Sequence, residues 1–297
     1  MSIAWVFPGQ GSQKLGMAGD LLSLPGAEER FGFASELLGR DLFAICMESN
    51  NSNDFADLND TRNTQPALFV VESLLVDDLL RQGRKASLIA GHSLGEIVAL
   101  YAAQVIDAKT ALRLLKRRSE LMATAGGGAM TALIGFDRKQ LEELVNATEG
   151  VVIANDNSSS QVVLSGAPQA VKTVSDALIC KRAIPLKVSG AFHSPFMAEA
   201  SQAFAAELDE VNFKNALIPV LSNADPTPTC EAELLRQRLK KQMASGVRWR
   251  ETMDVMADQG INTLVEIGPG NVLSGLAKRS MKGVTTSQIS NTSDLGH

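Results

Sequence analysis

Short apolar runs alternate with longer amphipathic stretches through the first part of the chain. The runs at 3–7 and 86–90 are apolar throughout, as is typical of strands that are buried on both faces. The stretches at 65–82, 96–103 and 107–124 repeat apolar residues every three or four positions, which indicates helices. Strands and helices in alternation are typical of a parallel sheet with helices on both sides. The pattern therefore predicts an α/β fold.

The pattern changes after three consecutive glycines at 126–128, which we interpret as a flexible join. The next elements are predicted as strand, helix, strand, strand, helix and strand, at 131–136, 138–147, 151–155, 161–165, 168–180 and 183–188, with a polar turn at 156–160. This βαββαβ order is ferredoxin-like. We therefore expect a small ferredoxin-like domain at 127–190, inserted into a large domain made of 1–126 and 191–297.

The chain then returns to the earlier alternation of strands and helices. The predicted elements are a helix at 195–209, a strand at 218–222, helices at 231–244 and 249–259, a strand at 263–267 and a helix at 272–278. The turn Gly268-Pro269-Gly270 is interpreted as a structural turn rather than a phosphate site. Three polar segments are predicted outside these elements: a loop at 8–13 that opens a helix, a loop at 50–63, and a mobile tail after Lys282.

Composition and charge exclude several classes of protein. The 297 residues are 45% hydrophobic, enough for a full core, and the net charge of −5 gives no case for nucleic-acid binding. No apolar run reaches the roughly 18–20 residues of a membrane span, and the first strand lacks the basic start of a signal peptide. Three widely spaced cysteines without a CxxC pair argue against structural zinc and a disulfide framework. We expect a cytoplasmic protein without a metal.

The strongest chemical signal is Ser93, in the run Gly91-His92-Ser93-Leu94-Gly95. A predicted strand precedes this Gly-x-Ser-x-Gly sequence and a predicted helix follows it, which is the context of a nucleophile elbow in an α/β-hydrolase-like domain. The helix N-terminus would favour negative charge at the site. The alternative is a tight turn that carries a solvent-facing serine.

A serine hydroxyl needs a base to become a nucleophile, and histidine is the usual base near neutral pH. The chain has three histidines. His297 is the last residue and is expected to fray, while His92 adjoins Ser93 and should point elsewhere. His193 remains, in a loop between a predicted strand and a predicted helix. By itself, such a residue is more often a loop histidine bonded to backbone, but the elbow needs a base and no other histidine is available, so His193 is the predicted base.

A third group would be needed to orient the imidazole. Four aspartates lie between Ser93 and His193, at Asp107, Asp137, Asp156 and Asp176, and none has a distinctive setting. A backbone carbonyl could do the same work. The sequence therefore leaves open whether the base has a carboxylate partner.

Arg118 lies in the middle of the apolar face of the helix at 107–124. At about 100° per residue, Ala111, Leu114, Leu115, Leu121 and Met122 form that face, while Arg113, Lys116, Arg117 and Glu120 lie on the other side. A buried arginine needs a partner because an unpaired buried charge is costly. The partner is either an acid of this chain or the carboxylate of a ligand, which a guanidinium binds through two parallel hydrogen bonds.

Serine, histidine and arginine in this combination leave three functions open. A serine hydrolase or thioesterase shares the elbow and differs in using water as the acceptor. A non-catalytic interaction domain could keep the fold, although an intact Ser93 and His193 argue against it. An acyltransferase for an acidic acyl group accounts for Arg118 as well.

Taken together, these residues resemble the malonyl-CoA:acyl carrier protein transacylase family of fatty-acid and polyketide synthesis. The motifs that carry the resemblance span the chain: Phe7-Pro8-Gly9-Gln10-Gly11-Ser12-Gln13, Asn63-Thr64-Gln65-Pro66-Ala67, Gly91-His92-Ser93-Leu94-Gly95-Glu96, Arg118, Asn155-x-Asn157-Ser158 with Gln161-Val162-Val163, Phe192-His193-Ser194 and Gly268-Pro269-Gly270.

The resemblance implies a role for each matching residue. Ser93 would carry the acyl group as an ester, and His193 would act as general base and then acid. The backbone carbonyl of Gln242 would orient His193. The backbone N–H groups of Gln10 and Leu94 would form the oxyanion hole.

The resemblance also implies how the acyl group is recognised. Arg118 would bind the malonyl carboxylate, and Phe192 would crowd the additional methyl group of a methylmalonyl substrate. Gln65 and Asn155 match family positions in the substrate pocket.

The implied partners are malonyl-CoA and an acyl carrier protein whose phosphopantetheine supplies the thiol, in a ping-pong reaction that needs no cofactor and supplies fatty-acid synthesis. Carrier proteins are acidic, so a basic run should dock the carrier. The run with Arg236, Lys240 and Lys241 is assigned to docking of the carrier or of the CoA phosphates, and the basic runs at 113–117 and 278–282 are the alternatives. A monomer is expected.

Overall fold

The computed structural model describes residues 2–47, 57–188 and 190–296. The helices in these ranges are α1 Ala27–Leu38, α2 Leu42–Met47, α3 Thr61–Arg81, α4 Gly95–Ala102, α5 Ala108–Thr124, α6 Arg138–Ala147, α7 Pro168–Ala177, α8 Ala198–Asp209, α9 Ala232–Gln242, α10 Trp249–Asp258 and α11 Val272–Ser280. The strands are β1 Ile3–Phe7, β2 Leu88–Gly91, β3 Ala129–Phe136, β4 Val151–Ser158, β5 Gln161–Gly166, β6 Cys180–Pro185, β7 Val220–Leu221, β8 Thr263–Ile267 and β9 Thr285–Ile289.

The larger sheet has five parallel strands in the order β7-β2-β1-β8-β9. Strands β1 and β2 near its centre are apolar throughout because helices cover both faces. Trp5 and Phe7 pack into a core that includes α3, α4 and α5. Ala4 and Val6, which point the opposite way, pack against α10 and α11. The predicted parallel sheet with helices on both sides is confirmed.

The second sheet is antiparallel, in the order β4-β5-β3-β6. Leu133 of β3 packs in one apolar cluster with Leu141 of α6 and Val171 of α7. The backbone of β4 also pairs with the segment before α10: Val247 donates to Ala154 at 2.7 Å and accepts from Asp156 at 2.9 Å. The α/β fold therefore combines a parallel and an antiparallel sheet.

The chain enters and leaves the antiparallel sheet at nearly one point, which we call the neck. A Cβ atom built on Gly128 would lie 2.4 Å from the Cβ of Ala191, and one on Gly190 would lie 2.4 Å from the carbonyl oxygen of Ala125. Only residues without a side chain allow the two chain segments to run this close together. The neck places α5 beside the segment that carries His193.

Two glycines make the turn between β2 and α4 possible. A Cβ atom on Gly91 would lie 1.9 Å from the backbone of Gly95, and one on Gly95 would lie 2.3 Å from the carbonyl oxygen of Phe7. Neither position has room for any other residue. Strand, sharp turn and helix follow each other as the sequence predicts.

Several predicted boundaries are wrong. The loop at 8–13 does not open a helix: turns continue to a 3₁₀ helix at Leu21–Ser23, and the first α-helix begins at Ala27. The polar residues 156–158 belong to β4 rather than to a turn. Helix α7 ends at Ala177, so the strand after it is Cys180–Pro185 instead of 183–188.

Helix α3 begins inside the segment that was predicted as a loop at 50–63. Asp60 caps it by accepting from the N–H of Arg62, so the helix begins at Thr61; positions 50–56 of that prediction lie outside the described residues. The helix is buried around nearly its whole circumference, including Gln65, Glu72 and Asp78, so the predicted amphipathic pattern is wrong. No helix in the described ranges has the length and apolar character needed to cross a membrane.

The tail after Lys282 was predicted to be mobile, and this is also wrong. It forms β9, which pairs in parallel with β8, and a 3₁₀ helix at Thr292–Leu295. Ile289 is buried, Thr292 donates to Asp20, and Arg84 donates to the carbonyl oxygen of Leu295. These contacts come from distant parts of the chain, so the local polar composition does not reveal them.

The turn at 268–270 is structural. Its neighbour Glu266 accepts from the N–H groups of Leu273 at 3.0 Å and Ser274 at 2.8 Å, which are the first donors of α11. A carboxylate of this chain therefore occupies the end of the helix where a phosphate would bind.

Candidate active site

Ser93 lies at the sharp turn between β2 and α4, with a backbone φ of 54°. This left-handed conformation is uncommon for serine and persists only where the surrounding structure holds it. The neighbouring residue His92 points elsewhere, as predicted: its Nε2 lies 2.9 Å from Asn157 Oδ1. His297 lies outside the described residues.

His193 faces Ser93 from the segment between the neck and α8. Its Nε2 lies 2.8 Å from Ser93 Oγ, and its Nδ1 lies 3.0 Å from the carbonyl oxygen of Gln242 and 3.2 Å from that of Ser245. Because carbonyl oxygens only accept, Nδ1 carries the proton and Nε2 accepts from the Ser93 hydroxyl. The pair has the geometry of a serine with its general base.

The protonation state of His193 suits a base. Burial, together with the nearby positive charge of Arg118, lowers the pKa of His193 to about 3. The imidazole is therefore neutral at physiological pH, and its Nε2 is free to take a proton.

The four aspartates considered as a third group all have other roles. Asp107 caps α5 and Asp137 caps α6, each by accepting from a backbone N–H. Asp156 pairs with Arg138 and Arg250, and Asp176 pairs with Lys172. The polar partners of His193 Nδ1 are backbone carbonyls, one of them that of Gln242, as the resemblance implies.

Arg118 is 1% exposed and reaches Ser93 from α5. Its Nη1 donates to Gln65 Oε1 at 2.7 Å, and its Nη2 donates to Gln242 Oε1 at 2.8 Å and Ser93 Oγ at 3.1 Å. Burial lowers the pKa of Arg118 to about 10, which leaves the guanidinium charged at neutral pH. Its Nε has no acceptor among the described residues.

The alternative of an internal salt bridge for Arg118 is not borne out. Among the residues that the structure describes, no carboxylate oxygen lies within 4.0 Å of its guanidinium. The carboxyl of Glu96 acts on Arg118 electrostatically without contacting it. Arg118 thus presents an unneutralised charge and a spare donor beside Ser93.

A buried amide network beneath the elbow was not predicted from the sequence. Asn223, just after β7, accepts from the N–H of Ser93 at 2.7 Å and donates to the carbonyl of Gly91 at 2.6 Å. It thereby holds both sides of the strained turn. The N–H of Asn223 donates in turn to Glu96 Oε2 at 3.0 Å, and burial raises the pKa of that carboxyl.

The side chain of Gln242 was also missed, although its backbone was expected to contact His193. Its Nε2 donates to the carbonyl of Ser93 and to Glu96 Oε2, both at 2.8 Å, while its Oε1 accepts from Arg118. One residue therefore contacts the serine, the base and the arginine. A lone glutamine near a helix end has no local signature that would have identified it.

The two predicted oxyanion donors are available for a ligand. In the described ranges, the backbone N–H groups of Gln10 and Leu94 donate to no acceptor, whereas the N–H of Ser93 is taken by Asn223. Gly9 packs against the carbonyl of His92, 2.6 Å from a Cβ built there, which brings the loop after β1 to the elbow.

A cavity of about 400 Å³ opens beside this loop. Gln10, Thr61, Lys187 and Phe192 are among its lining residues. Phe192 lines this cavity and precedes the candidate base in the chain; the resemblance assigns it to limiting the size of the acyl group.

The other predicted substrate residues differ in their placement. Gln65 contacts Arg118 directly, as described. Asn155 makes no hydrogen bond to Ser93, His193 or Arg118, and its Oδ1 is buried without a partner among the described residues. Asn157, two residues further along β4, contacts the elbow instead, through the side chain of His92.

The predicted docking cations lie on α9 and just before Gln242. Arg236 donates to the carbonyl of Val211 and pairs with Glu233, and Lys240 pairs with Asp209. Lys241 is exposed and has no ion pair within the described part of the chain. Of the three, Lys241 alone keeps its charge free for a partner.

The chain is similar to known proteins over its whole length. The acyl transferase domain model matches residues 4–294. The malonyl CoA-acyl carrier protein transacylase of Synechocystis is 48% identical over 295 residues, which are 99% of this chain and 99% of the relative. The enzyme of the same name from Escherichia coli K12 is 40% identical over 303 residues, 98% of this chain and 97% of the relative.

Solved structures agree with these matches. The crystal structure of the Synechocystis malonyl-CoA:ACP transacylase has a TM-score of 0.95 and 47% identity, with 99% of each chain covered. A malonyl-transacylase in complex with a type II polyketide acyl-carrier protein has a TM-score of 0.90 and 38% identity, with 99% of this chain and 98% of that chain covered.

Proposed function

Because the chain belongs to the acyl transferase domain family, we infer that it is a malonyltransferase, which moves a malonyl group from malonyl-CoA to the thiol of an acyl carrier protein for fatty-acid or polyketide synthesis. The observation that carries this conclusion is the contact of Ser93 Oγ with both His193 Nε2 and Arg118 Nη2. At this oxygen, a hydroxyl that can act as nucleophile contacts both an imidazole that can take its proton and a guanidinium that can bind a carboxylate.

The first half-reaction forms an ester on Ser93. His193 Nε2 takes the hydroxyl proton as Ser93 Oγ attacks the thioester carbon of malonyl-CoA. The tetrahedral intermediate collapses, its C–S bond breaks, and the departing CoA thiolate takes the proton from His193. The product is malonyl-Ser93 with His193 neutral again.

The oxyanion of this intermediate is held by the N–H groups of Gln10 and Leu94. The N–H of Ser93 is excluded from this role because Asn223 already accepts from it at 2.7 Å. Leu94 precedes the first residue of α4, so the positive end of the helix adds to the stabilisation.

The second half-reaction transfers the group to the carrier. The phosphopantetheine thiol loses its proton to His193 and attacks the ester carbon. The C–O bond to Ser93 breaks, and His193 returns the proton to Ser93 Oγ. The two half-reactions together make a ping-pong reaction. It uses groups of this chain, with the CoA thiol as the leaving group and the phosphopantetheine thiol as the acceptor.

Arg118 selects the acyl group by binding its free carboxylate. A bound carboxylate takes the spare Nε–H and competes with Ser93 Oγ for Nη2, which is the longest of the three contacts of the guanidinium. Phe192 limits the space beside His193 and disfavours a methyl branch, a discrimination worth about 1–3 kcal/mol. Asn155 is left without a role in this scheme.

Finer features of the fold are part of this proposal. The strand order β6-β3-β5-β4, with α6 and α7 packed on the sheet, supports a ferredoxin-like small domain at 127–190. The elbow at the end of β2 supports an α/β-hydrolase-like large domain made of 1–126 and 191–297.

The proposed base predicts an unusual pH profile. The second-order rate of Ser93 acylation at limiting malonyl-CoA should stay constant between about pH 8 and pH 5, because it reports the free protein, in which His193 has a pKa of about 3 and is neutral. A histidine at its ordinary pKa of about 6.5 would lose most of its free base over this range. Single-turnover acylation measured by rapid quench gives the profile; a fall centred near pH 6.5 contradicts the prediction.

The lowered pKa of His193 also limits the pH range in which the protein stays folded during this assay. Unfolded His193 binds a proton below about pH 6.5 while folded His193 does not, so this group lowers the free energy of unfolding as pH falls from about 6.5 towards 3. Circular dichroism at each pH is the control that the protein is still folded.

Carrier docking is proposed at Lys241. Lys241→Glu should raise the KM for the holo carrier protein about threefold or more at low salt and leave acylation by malonyl-CoA unchanged, since a rim charge acts mainly on association. Lys139→Glu, an equal charge change on exposed α6, is the matched control. Equal effects of the two variants, or none, would remove Lys241 from the docking surface.

The proposed function is tested by intact-protein mass spectrometry after brief mixing with malonyl-CoA. A single malonyl adduct should form, persist in buffer, and disappear when holo carrier protein is added, with malonyl-carrier as the product. An adduct lost to water at the same rate with and without carrier would indicate a hydrolase. Absence of an adduct would indicate an interaction domain.

A further inference from the structure

The groups that hold Arg118 are all neutral, although a buried guanidinium is usually paired with an acid. Its three acceptors are two amide oxygens, Gln65 Oε1 and Gln242 Oε1, and the hydroxyl oxygen Ser93 Oγ. The described residues bring no carboxylate oxygen within 4.0 Å of it. The Nη atoms of the arginine thus have only neutral acceptors, its Nε–H is spare, and no acid of the described residues contacts it to neutralise its charge.

The two glutamines are themselves fixed so that their oxygens face the arginine. The Nε2 of Gln65 donates to Thr61 Oγ1 at 2.8 Å. The Nε2 of Gln242 donates to the Ser93 carbonyl and to Glu96 Oε2. A flip of either amide would turn an NH₂ group towards the N–H groups of Arg118, so these partners define the orientation.

Gln242 also separates Arg118 from the acid that lies nearest in this network. Glu96 Oε2 accepts from the amide nitrogen of Gln242, whose oxygen on the other side accepts from Arg118. Without the amide between them, a buried carboxylate and a buried guanidinium would pair directly. The interposed amide keeps the positive charge of Arg118 available on the side of Ser93.

An amide and a carboxylate have nearly the same shape but differ by one charge. A carboxylate at either glutamine position would neutralise Arg118 before an acyl group arrived, and the substrate carboxylate would then have to displace it. An amide oxygen satisfies an N–H group and cancels no charge. Neutral oxygens are therefore what a site for an anionic acyl group requires.

We propose that Gln65 and Gln242 are positioning residues that set acyl-group selectivity: their amide oxygens hold Arg118 in place beside Ser93 while leaving its charge for the carboxylate of the acyl group. This inference rests on the proposed function, in which Arg118 binds the malonyl carboxylate.

The test changes the charge of one acceptor and keeps its shape. Gln65→Glu is the sharpest variant, because the Thr61 hydroxyl, which donates to Gln10 Oε1 at 2.9 Å, can turn its proton to the new carboxylate and leave the exposed Gln10 amide to solvent. The measured quantity is the ratio of kcat/KM for malonyl-CoA to kcat/KM for acetyl-CoA, which has no acyl carboxylate. The ratio should fall about tenfold or more.

Gln65→Met is the matched control, since it removes the hydrogen bond without adding charge. It should lower both rates and change the ratio much less than Gln65→Glu does. If Gln65→Met lowers the malonyl-to-acetyl ratio as much as Gln65→Glu does, Gln65 Oε1 acts only by holding Arg118 in position. Its lack of charge is then not required, and the inference is overturned. If Gln65→Glu leaves the ratio unchanged while its melting temperature matches that of the wild type, the inference is overturned.

Gln242→Glu gives a second measurement in case the first variant fails to fold. It keeps the backbone carbonyl that contacts His193 and should also lower the malonyl-to-acetyl ratio. Failure of the proposed function has a different signature: the wild-type protein would then form no malonyl ester, or Arg118→Ala would keep the malonyl preference. A normal wild type and a selective loss in Arg118→Ala, with no change in either Glu variant, would reject this inference alone.

Discussion

Replacing Ser93 by alanine is expected to abolish the malonyl adduct and to lower malonyl transfer by about 10⁴-fold or more. The hydroxyl is the atom on which His193 and Arg118 converge, at 2.8 Å and 3.1 Å. The remaining oxyanion donors could still stabilise direct attack by a thiol, but no ester could form. Intact-protein mass spectrometry after mixing with malonyl-CoA measures the adduct directly.

The control for this variant is Ser175→Ala. Ser175 lies on α7, where its hydroxyl donates to the carbonyl of Val171. This variant should form the adduct at the wild-type rate. A malonyl adduct that persisted on the Ser93→Ala protein would place the acyl group on another residue and reject the assigned nucleophile.

Replacing Arg118 by alanine should lower kcat/KM for malonyl-CoA by about 30- to 3,000-fold, since truncating one partner of a buried charged contact costs about 2–5 kcal/mol. The value for acetyl-CoA should fall far less, because an acetyl group offers no carboxylate. The acceptor atoms Gln65 Oε1 and Gln242 Oε1 lose their donor in this variant. Some loss of stability is therefore expected. It lowers the rates with both substrates alike, so it does not change the ratio of kcat/KM for malonyl-CoA to kcat/KM for acetyl-CoA.

Arg118→Lys separates charge from geometry. A lysine keeps the positive charge but cannot bind a carboxylate through two parallel N–H groups. Its malonyl-to-acetyl ratio should lie between those of the wild type and Arg118→Ala. An unchanged malonyl preference in the alanine variant would show that Arg118 does not recognise the acyl carboxylate.

Elements with strong local signals were predicted closely from the sequence. Strand β1 and helix α6 match their predicted bounds, the first because its apolar run ends at Pro8 and the second because Asp137 caps an amphipathic run. Strand β9 was missed because its polar residues become ordered only by pairing with β8. Pairing between segments that close a sheet edge is decided by the tertiary fold, not by local composition.

The candidate site divides in the same way. Ser93 stands in a motif, His193 is singled out by the scarcity of histidines, and Arg118 breaks the apolar face of a helix. Asn223 and the side chain of Gln242 have no such mark, because each acts through three hydrogen bonds to residues more than a hundred positions away. The reacting groups can therefore be recognised from local sequence, whereas the groups that position them are brought to the site only by the tertiary fold.

The neck at Gly128 and Ala191 has a consequence for chimeric proteins. Because the two chain segments touch there, the segment between them, described at 129–188 and 190, has its ends fixed at almost one point and could be exchanged as a cassette. Exchanging this cassette between relatives would demand a match at one junction, at the backbone pairing with Val247, and at two side-chain contacts, Asn157 with His92 and Asp156 with Arg250. The antiparallel sheet could thus be swapped, while Ser93, His193 and Arg118 stay on the recipient scaffold.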